Sequence, residues 1–255
     1  MLEMLDTGKP LNVAEKDIEL GARYFEYYAG VVDKVLGETI PLGENIVDFT
    51  RREPIGVTAH IVPWNAPFQI ACRSVAPALA VGNTAVIKPA EDTPLSTLKL
   101  AEICEQVDLP NGVLNIVTGY GEEAGAALAS HPDVGHITFT GSVSTGIAVM
   151  KMAAENVTPV TLELGGKSPN IVFEDAHLDH AAHVVVQSIT FCSGQVCIAG
   201  SRLLVERSIA PQFIERIKKR MKALTIGPGE ANPDLGPLVS RSQLERVEAY
   251  VQYAQ

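Results

Sequence analysis

The chain has 255 residues, 46% of them hydrophobic, and its 20 basic and 30 acidic residues give a formal net charge of −10. This length and composition are sufficient for one or two globular domains with buried cores. The acidic balance leaves no basic surface for nucleic acid or an anionic membrane, and no segment reaches the roughly 18 apolar residues of a membrane span. Small molecules are therefore the favoured partners.

Cysteine use and the start of the chain indicate the compartment. The four cysteines lack the paired spacing of a zinc site and are too few for a disulfide scaffold of this length. Residues 1–10, MLEMLDTGKP, carry charges where a signal peptide would be apolar. A cytoplasmic protein is predicted.

Two elements are predicted before the alternating strands and helices that begin near residue 56. Residues 17–35 have the periodicity of an amphipathic helix, with Asp17 as its N-cap. Residues 38–53 predict an extended arm interrupted by Pro41 and Gly43, which could add to another sheet. The apolar face of the predicted helix is Ile18, Ala22, Phe25, Ala29 and Val32.

The middle of the chain alternates short β-rich runs with helical stretches. This alternation predicts an α/β fold with a doubly wound parallel sheet, in which ligands bind beyond the carboxyl ends of the strands. The predicted strands are 56–62, 84–88, 113–118, 136–140 and 160–163, and the predicted helices between them are 67–80, 95–107 and 122–130.

A second unit is predicted after the flexible Leu164-Gly165-Gly166 junction. Its strands are 170–173 and 202–205, and its helices are near 181–191, 211–224 and 240–255. The last helix has no C-cap signal before the chain stops.

The segment FCSGQVCIAG, residues 191–200, places Cys197 just after a glycine-containing turn. A thiol beside loop or helix amides can act as a nucleophile. A cysteine in isolation is more often a small buried hydrophobe than a nucleophile.

Five segments in order carry a resemblance to a known family: PWNAPF (63–68), VIKPAEDTP (86–94), FTGSVSTG (139–146), ELGGKSPNIV (163–172) and FCSGQVCIAG (191–200). In sequence and approximate spacing they resemble motifs of the aldehyde dehydrogenase superfamily. The resemblance covers essentially the whole chain. It implies a Rossmann-like cofactor domain followed by part of a second α/β catalytic domain, and oxidation of a small-molecule aldehyde.

The resemblance implies three catalytic residues. Cys197 is the implied nucleophile, and the side-chain amide of Asn65 with the backbone N–H of Cys197 would stabilise the oxyanion. Glu163 is the implied general base that activates water to hydrolyse the thioester. From the residues alone, Asn65 could be a turn residue and Glu163 a strand-end carboxylate paired with a lysine.

Cofactor residues are implied in the same way. The glycine-rich segment after the strand near 140 opens a helix, whose amides and dipole can meet a pyrophosphate. A carboxylate at Glu91 would accept from a ribose 2′-hydroxyl and repel a 2′-phosphate, so NAD is preferred over NADP. Trp64 is expected beside the nicotinamide, although it could equally be a core residue. The implied cofactor residues are Trp64, Lys88, Glu91, Gly141, Ser142, Thr145, Gly146, Leu164 and Gly165.

The predicted domains are 1–37 as a helical part of the cofactor domain, 38–53 as an oligomerisation arm, 54–163 as the NAD-binding domain and 164–255 as a truncated catalytic domain.

Three histidines recur at every third position, His177, His180 and His183, but side chains six residues apart on a helix point about 240° apart and cannot converge on one ion. They are interpreted as a solvated helix start, and no catalytic metal is predicted.

Members of the resembled family are nearly twice as long, which leads to the hypothesis that the chain is a fragment of a homo-oligomeric parent. The alternative is a truncated, non-catalytic dinucleotide-binding or assembly subunit. Glu163 argues against an acylating relative that passes the thioester to coenzyme A, because such enzymes generally lack this glutamate.

Overall fold

A computed structural model describes all residues from 1 to 255. The chain forms two compact units, Asp17–Glu163 and Met1–Lys16 together with Leu164–Gln255. No helix combines the length and apolar composition needed to cross a membrane. The strands are β1 (Thr39–Ile40), β2 (Asp48–Phe49), β3 (Val57–Ile61), β4 (Thr84–Lys88), β5 (Leu114–Ile116), β6 (Val134–Gly141), β7 (Val160–Leu164), β8 (Pro169–Val172) and β9 (Arg202–Val205). The helices are α1 (Leu2–Thr7), α2 (Leu11–Ala29), α3 (Pro67–Ala80), α4 (Leu95–Gln106), α5 (Ala126–Ala129), α6 (Val143–Ala154), α7 (Leu178–Thr190), α8 (Ala210–Lys222) and α9 (Arg241–Ala254).

The first unit is built on a parallel five-stranded sheet in the order β5-β4-β3-β6-β7. Strands β3 to β5 advance in one direction, and β6 then returns to the other side of β3. The sheet is therefore doubly wound as predicted, with its switch point between β3 and β6. Side chains from α3, β4 and α4, with Val62 just after β3, form the core, which includes Phe68, Val75, Ile87 and Leu100.

Helix α2 differs from its prediction. It begins at Leu11, six residues before Asp17, and ends at Ala29. Asp17 is therefore not an N-cap, and the predicted apolar face is largely exposed, with Ile18 at 40% and Val32 at 46%. The packed face instead includes Gly21, where a Cβ would lie 2.6 Å from a Phe68 ring carbon. The close approach of α2 to Phe68 leaves no room for a side chain at position 21, and a count of apolar side chains does not register such a position.

The predicted arm contains a short antiparallel pair, in which β1 and β2 align Thr39 with Phe49 and Ile40 with Asp48. The helix expected at 122–130 is a π-turn, Gly121–Gly125, continued by the four residues of α5.

In the second unit, β8 and β9 pair in parallel, and α7 and α8 cover one face around Val172, Val185, Ile209 and Phe213. Other side chains of the two strands are exposed, including Ile171 at 60% and Leu204 at 47%. Residues 1–37 are predicted to belong to the cofactor domain, whereas in the structure residues 1–16 group with 164–255. They are held there by close contacts such as Gly8 against Pro237, and a buried ion pair between Lys9 Nζ and Glu3 Oε1 at 3.0 Å joins two residues within the amino-terminal segment itself.

Candidate functional site

The predicted nucleophile Cys197 is exposed in the segment that joins a tight turn, Phe191–Gly194, to β9. Residues 191–200 form the cysteine loop. Its turn closes through a bond from the Ala199 N–H to the Val196 carbonyl, and the Cys197 N–H donates to no protein acceptor. Cys197 is therefore both exposed and provided with a backbone N–H that is free to donate to a ligand. Cys192 is buried at 8% exposure, and no cysteine is in a disulfide.

Three consecutive residues of the cysteine loop have left-handed backbone angles: Cys192 at φ 48°, Ser193 at φ 57° and Gly194 at φ 77°. For the two residues that are not glycine this conformation is unfavourable by roughly 1–2 kcal/mol each. Such a geometry persists only when surrounding contacts hold it.

Hydrogen bonds to residues 236–239 hold the amino-terminal half of the cysteine loop. Ser193 Oγ donates to the Gly236 carbonyl at 2.7 Å. The Gln195 side chain donates through Nε2 to the Cys192 carbonyl at 3.1 Å, and its Oε1 accepts from the Val239 N–H at 3.0 Å. Gln195 therefore closes the turn and also ties it to a segment 44 residues away.

Two further contacts hold the other half of the loop. Asn170 on β8 donates to the Gly200 carbonyl at 3.1 Å, and the Gly200 N–H donates to the Ser188 carbonyl at 3.0 Å. Gly166 lies beside the nucleophile itself, since a Cβ there would be 3.1 Å from the Cys197 carbonyl oxygen. The glycine after Gly165 in the ELGGK motif is thus in direct contact with the cysteine loop.

Glu163 and Leu164 are the last two residues of β7, with Glu163 exposed and Leu164 half-buried. A Cβ on Gly165 would meet no atom within 4 Å, so this position faces open space. Glu163 belongs to the unit of 17–163, and Leu164 and Gly165 belong to the other.

Asn65 and Trp64 lie in the turn that joins β3 to α3, and both are half-buried. The buried Thr93, which follows β4, donates its hydroxyl to the Trp64 carbonyl at 3.2 Å. The loops after two neighbouring strands are therefore joined at the carboxyl edge of the sheet.

Lys88 ends β4 and is 2% exposed. Its ammonium donates to the Pro89 carbonyl at 2.8 Å and to Glu91 Oε2 at 2.9 Å. Partial burial acts to raise the pKa of Glu91, but the Lys88 hydrogen bond, with backbone bonds including one from Gly121, outweighs it and lowers that pKa. Glu91 is therefore a carboxylate at neutral pH, beside a cavity of about 310 Å³ bordered by Tyr120.

The glycine-rich segment follows β6. Ser142 is the N-cap of α6, and its Oγ accepts from the Thr145 N–H at 3.2 Å and lies 2.8 Å from Thr145 Oγ1. Other first-turn amides of a helix have no intrahelical acceptor and can meet an anion. Gly146 is buried in this turn, and a Cβ on Gly141 would lie 2.6 Å from the Phe139 ring.

The sheet brings these predicted residues to one edge. Ile61 at the end of β3 is aligned with Lys88 on β4 and with Phe139 on β6. The Asn65 turn, the Lys88–Glu91 pair and the start of α6 therefore flank the switch point, where doubly wound sheets bind nucleotides.

The sequence did not identify Ser193, Gln195 and Gly236, because a side chain gives no indication of a hydrogen-bond partner 43 or 44 residues away. Gly121 is a further residue of this edge, because its backbone N–H donates to Glu91. The predicted helix-start histidines are on α7: His177 is the N-cap, and its Nδ1 accepts from the His180 N–H at 3.3 Å.

Comparisons with known proteins identify similar chains. The model of the aldehyde dehydrogenase family matches residues 1–255. The hydroxyisobutyraldehyde dehydrogenase of Mycolicibacterium austroafricanum is 49% identical over 98% of this chain, which covers 50% of that protein. The mitochondrial aldehyde dehydrogenase of Leishmania tarentolae is 47% identical over 98% of the chain, which covers 51% of that protein.

Among solved structures, the NAD⁺ complex of the aldehyde dehydrogenase from Bacillus cereus has a TM-score of 0.96 and 45% identity. That match covers 98% of this chain and 52% of the other. The chain thus spans about half the length of the relatives that it matches. A family match over every residue, with this fold and these motifs, shows that the chain belongs to the aldehyde dehydrogenase family.

Proposed function

We propose that the protein oxidises an aldehyde to a carboxylic acid with NAD, through a thiohemiacetal and a thioester on Cys197. The observation that carries the proposal is that Cys197 is exposed and its backbone N–H has no hydrogen-bond acceptor in the protein. Hydrogen bonds hold both halves of the loop on which it lies. Family membership supports the reaction type. The relatives are about twice as long, so the activity of the whole protein is part of the proposal.

In the first step the Cys197 thiolate attacks the aldehyde carbon, and negative charge develops on the former carbonyl oxygen. The Cys197 N–H and the Asn65 side-chain amide would donate to this oxyanion. Removing one such donor typically lowers kcat by ~10² to 10³. Asn65→Ala should lower kcat by this factor and change KM much less, because the charge exists only in the transition state.

Collapse of the alkoxide breaks the C–H bond and leaves a thioester on Cys197; bound NAD supplies the hydride acceptor. Glu163, three residues before Gly166, would take a proton from the water that attacks the thioester carbon. The Cys197 thiolate then leaves, and the acid is released. A carboxylate suits this role because it can take up and release a proton near neutrality.

The residues along the sheet edge fit a dinucleotide. Lys88 and Glu91 supply a hydrogen-bonded cation and anion beside a cavity, and the start of α6 supplies amides for the pyrophosphate. The NAD⁺ complex of the Bacillus cereus relative supports this cofactor. The ionised Glu91 favours a free 2′-hydroxyl over a 2′-phosphate, so we propose NAD in preference to NADP.

The proposal includes a cytoplasmic location and a homo-oligomer of the full-length protein. The hairpin of β1 and β2 supports the second part, because it exposes Val47 at 86% and Phe49 at 66% and has edges that can accept a further strand. Sedimentation of the protein with and without residues 38–53 tests it: the deletion should lower the oligomeric state.

The deciding experiment measures aldehyde-dependent NADH formation by the chain. Cys197→Ala should abolish it, and Cys104→Ala, at a half-buried thiol on α4, should retain it. Glu163→Gln should give a burst of NADH no larger than one per chain, since acylation proceeds and hydrolysis stalls. NAD binding without any turnover would contradict the proposal and favour the non-catalytic dinucleotide-binding subunit.

A further inference from the structure

A second cavity lies within the unit that carries Cys197. Its volume is about 750 Å³, within the range of small-molecule sites. Val196 and Ile198, on either side of Cys197 in the chain, both line it, as does Phe191 from the start of the same loop. The cavity is therefore next to the predicted nucleophile and can hold the part of a substrate beyond its aldehyde group.

The charged side chains that line this cavity include more cations than anions. Lys16 and Arg220 contribute two cations, His183 adds a titratable ring, and Asp234 contributes the one carboxylate. The remaining lining side chains are polar without charge or apolar.

Neither cation is neutralised by an acidic side chain. Lys16 is exposed and has no ion-pair or hydrogen-bond partner in the structure. Arg220 donates to the backbone carbonyl of Asp179 at 3.1 Å and pairs with no carboxylate. Both charges are therefore available to a ligand.

The carboxylate of Asp234 is already engaged. Its Oδ2 accepts from the Thr225 N–H and from Thr225 Oγ1, each at 2.7 Å. These bonds, the backbone one first, hold the pKa of Asp234 below its usual value. A second anion in the cavity would find Lys16 and Arg220 as its counter-charges.

We infer that this cavity selects aldehydes bearing an anionic group, such as a terminal carboxylate on a short apolar chain, through Lys16 and Arg220. The inference rests on the proposed function and specifies its substrate class. The apolar wall near Cys197 would hold the carbon chain, and the two cations would attract the far end. These are specificity-determining residues with no part in the bond-breaking steps.

The first test compares kcat/KM for succinic semialdehyde with that for butyraldehyde, two four-carbon aldehydes that differ by one carboxylate. Lys16→Ala and Arg220→Ala should each lower the ratio about two- to fivefold, the effect of removing one partly screened charge. Lys16→Arg should retain it, and raising the salt from 0.05 to about 1 M should reduce it in the parent protein. Lys218→Ala, on α8 but paired with Glu215 away from the cavity lining, is the matched control and should leave the ratio unchanged.

The second test needs no dehydrogenase activity. The rate at which iodoacetate alkylates Cys197, divided by the rate for neutral iodoacetamide, measures the local preference for an anion. Lys16→Ala and Arg220→Ala should each lower this alkylation ratio about two- to fivefold. If the alkylation ratio falls but no aldehyde yields NADH, the proposed function is wrong and the anion-selective cavity stands. If NADH forms and neither ratio responds to Lys16 or Arg220, the inference is overturned and the proposed function stands.

Discussion

Gln195 provides the sharpest test of how the cysteine loop is held. Its side chain joins the Cys192 carbonyl to the Val239 N–H, and both partners lie in partly buried surroundings. Gln195→Ala removes two hydrogen bonds that are each worth about 1 kcal/mol and leaves the Val239 N–H without its acceptor, whereas the Cys192 carbonyl still accepts from the backbone N–H of residue 195. We expect a loss of about 2 kcal/mol, which corresponds to a roughly 30-fold increase in the local opening equilibrium of the loop.

Amide hydrogen exchange of peptides covering 191–199 measures this opening, and urea unfolding measures the global effect. Gln212→Ala, at an exposed position of α8, is the matched control and should change neither. Gln195→Glu should exchange at a rate between those of Gln195→Ala and the control, because it retains an acceptor for the Val239 N–H and loses the donor to the Cys192 carbonyl. Exchange in Gln195→Ala equal to that of the Gln212 control would refute the assignment of Gln195 as the element that ties this loop to residues 236–239.

Three other predictions address separate contacts. Gly236→Ala places a Cβ 2.2 Å from the Gly8 carbonyl oxygen and should destabilise the protein by about 1–3 kcal/mol, whereas Gly227→Ala, whose nearest contact is 3.7 Å, should have little effect in the same urea titration. Glu91→Gln should reduce the preference for NAD over NADP about tenfold in fluorescence titrations of both cofactors, and Glu102→Gln on α4 should not. Burial, with repulsion from His136 added, lowers the pKa of His60 to about 4. Stability should therefore decline by about 3 kcal/mol as the pH falls from 6.5 towards 4, where the unfolded chain binds the proton first, and His60→Gln should flatten that part of the unfolding profile.

The sequence was a good guide to the sheet because its signals are local. Strand β4 is a β-branched run between Gly82 and Pro89, and it was predicted to the residue. Helix α3 begins at a proline suited to a first turn and was also predicted without error. Helix α2 was misplaced because its contact face depends on Gly21 meeting Phe68, a long-range fact that hydrophobic periodicity does not contain.

At the candidate site, the sequence identified groups whose chemistry is evident from their type: a cysteine, a carboxylate and a glycine-rich turn after a strand. The sheet order then placed the groups of 17–163 at one edge, which the βα alternation had predicted. The supporting contacts could not be predicted. Ser193 and Gln195 are ordinary polar residues until the fold brings Gly236 and Val239 to them.

The cysteine loop illustrates why those distant contacts matter. Its left-handed residues Cys192 and Ser193 are unfavourable by roughly 2–4 kcal/mol together. The bonds through Ser193, Gln195 and Gly200 offset this with about 4 kcal/mol, at about 1 kcal/mol for each of the four. The near balance means that the loop keeps its shape only while residues 236–239 stay in place. Gly236 in turn lies against Gly8, which is next to the buried Lys9–Glu3 ion pair. The position of Cys197 is consequently determined in part by the first ten residues of the chain, a dependence that arises from packing and that no motif around the cysteine contains.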